Sequence, residues 1–90
     1  MNRRQTSTAE HFETHDYWLA GALVASGNRL IGLRWIGSRA IFLLLPAPDC
    51  EAASQAYWMG DLEVSAKAYS DALRGLKDRL YCEVRSKDHP

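Results

Sequence analysis

The sequence predicts an α+β fold, a small three-stranded sheet with helices packed on it, and three observations carry that reading. Residues 30–45, LIGLRWIGSRAIFLLL, are two apolar runs joined by Gly37-Ser38, which is a β-hairpin signal. Residues 17–26, YWLAGALVAS, sit between a capping Asp16 and Gly27 and read as a helix. Further on, Tyr69, Leu73, Leu76 and Leu80 recur at three- and four-residue steps, one face of a longer helix. The resulting order, β-α-β-β-α-α, contains a hairpin and so is not the strict alternation of a parallel α/β sheet.

Each element has its own local reason. His11-Phe12-Glu13-Thr14 alternates polar and apolar residues and reads as a short first strand. In the helix from Tyr17 to Ser26, the stripe Trp18, Leu19, Ala22 and Leu23 is expected to be buried, with Gly21 and the alanines allowing close approach to the sheet. A two-residue Gly-Ser loop suits a type II′ turn, because glycine alone takes the positive φ at the first central position without a Cβ clash. That turn sets Trp35 opposite Ala40, Leu33 opposite Phe42 and Ile31 opposite Leu44, giving a core face of these six residues. The other face carries Leu30, Gly32, Arg34, Ile36, Arg39, Ile41, Leu43 and Leu45. It is too apolar for water and calls for a cover, from this chain or from a partner.

After the hairpin, Pro46-Ala47-Pro48 stops the strand, and Asp49 is expected to cap a helix from Cys50 to Met59 that ends at Gly60, with Ala53, Ala56 and Tyr57 inward. Ser65 caps the last helix, Ala66 to Glu83, whose polar side pairs Lys67 with Asp71, Arg74 with Asp78 and Arg79 with Glu83. The uncharged run from Ala40 to Leu45 suits a central strand, so the expected strand order is 2-3-1, with strands 1 and 2 parallel as a β-α-β crossover requires. The domain spans residues 11–84, between a polar arm, 1–10, and a polar tail, 85–90, both expected to be flexible.

Composition narrows the function classes. The 90 residues carry 11 basic and 11 acidic side chains, so no bulk charge draws the chain to nucleic acid or to an anionic membrane. The distribution is uneven: between Tyr17 and Pro48 the only charges are Arg29, Arg34 and Arg39, and from Asp49 to Glu63 they are Asp49, Glu51, Asp61 and Glu63. A basic hairpin and an acidic following segment can face each other within one fold or attract a second copy. The longest uncharged run, Tyr17 to Asn28, is shorter than the ~18 residues of a membrane span. Glu10 and Glu13 stand where a signal peptide would be apolar, so a cytoplasmic protein with reduced Cys50 and Cys82 is expected.

Candidate chemistry is sparse. His11 and His15 are four apart, a metal-binding spacing only on a helix, and HFETH is not the H-E-x-x-H pattern. Cys50 in the first turn of a helix is the best nucleophile candidate, but Asp49 and Glu51 beside it disfavour a thiolate. No phosphate-binding loop, nucleophile elbow or paired-cysteine zinc spacing occurs. The expectation is a non-enzymatic chain with no catalytic residue, metal, cofactor or small-molecule substrate; an enzyme would have to assemble its site from scattered residues.

The string Phe12-x-Thr14-x-Asp16-x-x-Leu19-Ala20, followed by Gly27, Leu30, Phe42, Tyr57-Trp58-x-Gly60, Val64, Leu76-Lys77 and Tyr81, resembles a family of small prokaryotic and phage domains of unknown function. The resemblance covers nearly the whole chain. It implies a prokaryotic or phage origin and the same element order, and implies no activity and no site residues. Arg34-Trp35 and the leucines of the third strand are more apolar than that pattern.

Two binding functions compete. A protein–protein interface, in a homodimer or in a larger prokaryotic or phage assembly, would use Leu30, Arg34, Ile36, Arg39, Ile41, Leu43 and Leu45, an aliphatic patch with arginines and no lysine or acid. A nucleic-acid surface would use Arg3, Arg4, Arg29, Arg34 and Arg39. The first is favoured, because Trp35 and Phe42 lie on the core face and leave the arginines without an aromatic platform for bases.

Overall fold

Strand β3, Arg39–Leu45, has no charge after its first residue and sits at the centre of the sheet. In the computed structural model, which describes residues 10–88, it is flanked by β1, Phe12–Thr14, and β2, Arg29–Ile36, both antiparallel to it. The order β1-β3-β2 is the expected one. Helices α1, Tyr17–Ala25, α2, Ala47–Met59, and α3, Ala66–Asp88, complete an α+β fold. The flexible arm expected at 1–10, Arg3 and Arg4 included, lies outside the described residues except for Glu10, as does the end of the tail at 89–90. Residues 85–88 were expected to be part of that tail, but they continue α3.

The hairpin turns as expected. Gly37 takes φ 61° and Ser38 is not at positive φ, the combination of a type II′ turn. Trp35 pairs with Ala40 and Leu33 with Phe42. Beyond them the register departs from simple alternation, because a bulge between Leu30 and Gly32 leaves Ile31 unpaired and 44% exposed. Leu30 therefore faces Leu44 in place of Ile31, joins the core side, and moves Arg29 opposite Leu45 on the other face. Alternation alone carries no mark of an inserted residue, although Gly32 in mid-strand is the kind of residue that accompanies one.

Leu19, Ala20 and Leu23 of α1, Cys50 of α2 and Leu76 of α3 form one buried cluster with Phe42 and Leu44. All three helices thus contribute to the side of the sheet that Phe42 and Leu44 share. With a shortest dimension of 17 Å, the molecule has room for two layers and no third. Helix α1 is apolar all round and is the central helix, with five consecutive buried residues from Leu19 to Leu23. Asp16 caps it through a 3.0 Å bond from the Leu19 N–H. Trp18, expected in its buried stripe, is exposed, since its ring lies on the outer edge against Tyr17 and borders an open cleft with Leu73, Arg74 and Lys77.

Gly21 serves a different neighbour from the expected one. A Cβ there would come within 2.5 Å of a Leu73 methyl, so the missing side chain admits α3 rather than the sheet. Two tyrosines fix that contact: Tyr17 donates to the Leu73 carbonyl at 2.6 Å and Tyr69 to the Trp18 carbonyl at 3.1 Å. Helix α2 starts three residues before the expected Cys50. Pro46 is its N-cap residue without a side-chain bond, Pro48 occupies the first turn where no N–H is needed, and Asp49 lies inside the helix rather than capping it. On α3, Lys67 and Arg79 reach Asp71 and Glu83 at 3.2 Å, whereas Arg74 pairs with Asp71 at 3.4 Å in place of Asp78.

Candidate functional site

The face of the sheet turned away from the helices is the candidate site. Strand pairing fixes its membership: Arg29 with Leu45, Gly32 with Leu43, Arg34 with Ile41 and Ile36 with Arg39, extended to β1 by Glu13 beside Leu43. Of the seven residues expected to bind a partner, Arg34, Ile36, Arg39, Ile41, Leu43 and Leu45 share this face. Leu30 does not, for the bulge has turned it to the core. In exchange, Arg29 joins Arg34 and Arg39, and the face becomes more basic than alternation alone implies.

Its centre is not bare. Ile41 is only 9% exposed, although it is absent from the cluster that the helices share. The cover is polar. Arg34, opposite Ile41 on one edge strand, donates to Glu13 Oε1 at 2.5 Å, and Glu13 projects beside Leu43 from the other edge strand. The ion pair therefore spans the central strand above Ile41 and Leu43. His11 holds the second oxygen of Glu13 at 2.8 Å. The hydrogen bond from His11, and then that from Arg34, keep the Glu13 carboxyl below its usual range. Sequence reading placed Arg34 in the binding patch and did not pair it with Glu13, since the two are 21 residues apart and meet only because β1 and β2 flank the same strand.

Outside this strap the face remains apolar and basic. Ile36 is 60% exposed, Leu43 and Leu45 are half-buried, and Arg29 and Arg39 are exposed. Among the described residues neither Arg29 nor Arg39 forms an ion pair. Among the described residues no aromatic side chain belongs to the face, because Trp35 and Phe42 point to the helix side. For the nucleic-acid reading, the structure gathers Arg29, Arg34 and Arg39 on one face, with Arg34 neutralised by Glu13, and Arg3 and Arg4 lie outside the described residues.

On the helix side, one feature escaped the sequence reading. Between the hairpin tip and the last turns of α3 runs a shallow groove of about 340 Å³, lined by Tyr17, Trp35, Phe42, Leu80, Tyr81 and Val84. Trp35 is half-buried there, and its indole N–H donates to Glu83 at 3.3 Å. The signal was present: Val84 follows Leu80 by four residues and extends the apolar stripe one step past the expected helix end.

The chemical candidates lie apart. Both cysteines are free thiols, Cys82 exposed and Cys50 fully buried. Burial, and then the charge of Asp49, push the Cys50 thiol up to about 11, so it stays protonated near neutral pH. Among the described residues no group of three or more His, Cys, Asp or Glu side chains could hold a metal ion, and no helix is long and apolar enough to cross a membrane. In comparisons with known protein families, curated proteins and solved structures, nothing matches this chain.

Proposed function

We propose that this protein is a non-enzymatic protein–protein interaction module that binds through the helix-free face of its sheet. The observation that carries the reading is the makeup of that face: Ile36, Leu43 and Leu45 with Arg29 and Arg39 among them, on a sheet whose three helices all serve the other side. Aliphatic area ringed by arginines matches the composition of interface centres and rims. The basic rim selects an acidic partner surface, and the strap over Ile41 leaves Ile36 as the most exposed apolar anchor.

The competing nucleic-acid reading has three arginines on one face in its favour and the lack of an aromatic platform against it. Paired variants separate the two. Ile36→Asp with Leu43→Asp should abolish partner binding measured by calorimetry or cross-linking, while Arg29→Ala with Arg39→Ala should weaken it only partly. Nucleic-acid binding would show the reverse, with affinity falling steeply as salt rises. Partner binding undiminished by the double aspartate change, in a chain that still melts cooperatively, would remove this face from consideration.

A further inference from the structure

We infer that this chain self-associates head to tail, the open sheet face of one copy seating the exposed flank of α2 that carries Glu51, Gln55, Trp58 and Met59 from a second copy. The inference rests on the open face being a protein-binding surface and goes on to name what it binds.

The argument begins with the charge segregation of the sequence. The hairpin region holds only arginines, and residues 49–63 hold only Asp49, Glu51, Asp61 and Glu63. Within one molecule these two sets do not meet. Arg34 is paired with Glu13, and among the described residues none of the four acids takes part in any ion pair. The fold itself prevents the meeting, since the arginines lie on the face away from the helices and α2 lies in the helix layer. All four acids are exposed.

Helix α2 also carries the apolar half of an interface. Cys50 and Ser54 point into the molecule, so at 100° per residue Met59 and Gln55 lie on the outer side and Glu51 and Trp58 share the flank beside Ser54, all four of them exposed. Trp58 is 65% exposed and Met59 75%, and Tyr57 steadies the Trp58 ring edge-on at 4.9 Å. Tryptophan, methionine and arginine are the side chains enriched in interface centres. One surface offers aliphatic side chains with a basic rim, and the other offers an exposed aromatic knob with Glu51 on the same flank of its helix. They sit on opposite layers of a thin molecule, so both can be satisfied only between copies. Because the two patches sit in opposite layers, one copy cannot offer both to the same neighbour, so the contact is heterologous and builds a ring or a filament rather than a two-fold dimer.

Sedimentation of the full chain tests this. The apparent mass should rise above 10.1 kDa with concentration and fall back as salt is added. Trp58→Ser with Met59→Ser, and separately Ile36→Asp with Arg39→Glu, should each give a monomer. All four positions are exposed, and circular dichroism verifies the folds. Mixed in equal amounts, the two variants should form a species of twice the monomer mass that grows no further, since each retains one complementary surface. A parent chain that stays monomeric overturns the inference. So does self-association of the α2 variant, which means sheet-to-sheet contact, or of the sheet variant, which means pairing at the β2 edge.

A photo-reactive benzoylphenylalanine in place of Ile36 gives a readout that needs no disrupted surface. Cross-links from position 36 should map to residues 47–63 of another copy. Cross-links in the producing cell to a different protein, with the purified chain monomeric, would overturn the self-association and leave the binding face standing. Cross-links to no protein in either setting would remove both.

Discussion

Leu43 and Leu44 are neighbours of the same type in the same strand, and they live in different environments. Leu44 is fully buried under Leu19, Leu23, Cys50 and Leu76, whereas Leu43 lies half-buried on a face that no helix serves. Both sides of the hairpin are greasy, though only the second carries arginines, so apolar content alone does not determine that just one side is covered. Helix supply does. Helix α1 is apolar all round and needs cover itself, so α2 and α3 are spent on it as well as on the sheet, and one layer of helices is all that the described residues provide. The uncovered side is protected by an ion pair instead. The two faces differ in kind: dispersion and burial hold the first, and the second is closed by a salt bridge between edge strands and left open around it.

The largest effect should separate the two leucines. Leu44→Ala removes a fully buried side chain at a cost of about 2–5 kcal/mol, enough to unfold much of a marginal 90-residue domain. Leu43→Ala should cost well under half as much. Urea titrations of the two variants check this, and equal midpoints would mean that the second face is covered as well as the first. Leu76→Asp belongs with the severe class, since it sets a carboxylate into the cluster where Leu76 now packs, and no cooperative melt should survive.

A smaller effect, about 1–3 kcal/mol, is expected of Gly21→Ala. The added methyl must displace the Leu73 side chain, which then has to find room beside the Tyr17–Leu73 hydrogen bond. The loss should appear in the melting temperature and be relieved by Leu73→Ala in the same chain. Relief would establish that α1 and α3 touch through this pair, and additive losses would place the strain elsewhere.

The element order, the strand order, the type II′ turn and most of the core were legible because each rests on local chemistry: a Gly-Ser loop, a capping Asp16, an uncharged central strand, a helical stripe ending at Leu80. What escaped shows the limit of period-based reading. The bulge at Ile31 exchanges Leu30 for Arg29 on the open face, and strict alternation has no term for an inserted residue. Trp18 looked like core because it is apolar and on helix α1, yet an all-apolar helix has no stripe to orient it. The strap between Glu13 and Arg34 depends on which strands flank β3, a fact of topology rather than of spacing. Six of the seven proposed interface residues share the helix-free face, and the seventh, Leu30, is turned to the core by the bulge.

The two cysteines extend the comparison to reactivity. Cys82 is exposed, whereas Cys50 is fully buried with its thiol pushed up to about 11. Iodoacetamide at neutral pH should modify Cys82 promptly and reach Cys50 only through unfolding, so the Cys50 rate should accelerate with added urea. Rapid labelling of Cys50 in the native chain would contradict its place in the core.

The smallest effect concerns the strap, and its sign follows from Glu13. The hydrogen bond from His11, followed by that from Arg34, lowers the carboxyl below the ordinary value of 4.5. A carboxylate depressed in the folded state adds stability above its unfolded pKa and loses it as pH falls through the folded one. Both partners are substantially exposed, so the contribution is a few tenths of a kcal/mol, near the ~0.2–1 kcal/mol of surface pairs. Thermal melts of the parent and of Glu13→Gln should therefore differ slightly at pH 6 and converge as the pH drops below 4.5 toward the folded value. The Ile41 methyl resonance is the local probe: it should shift with the same titration in the parent and stay fixed in Glu13→Gln, because the carboxylate is what holds Arg34 above it. An Ile41 signal indifferent to both acid and substitution would mean that something other than the ion pair buries this side chain, and the distinction between a packed face and a strapped one would fail at its centre.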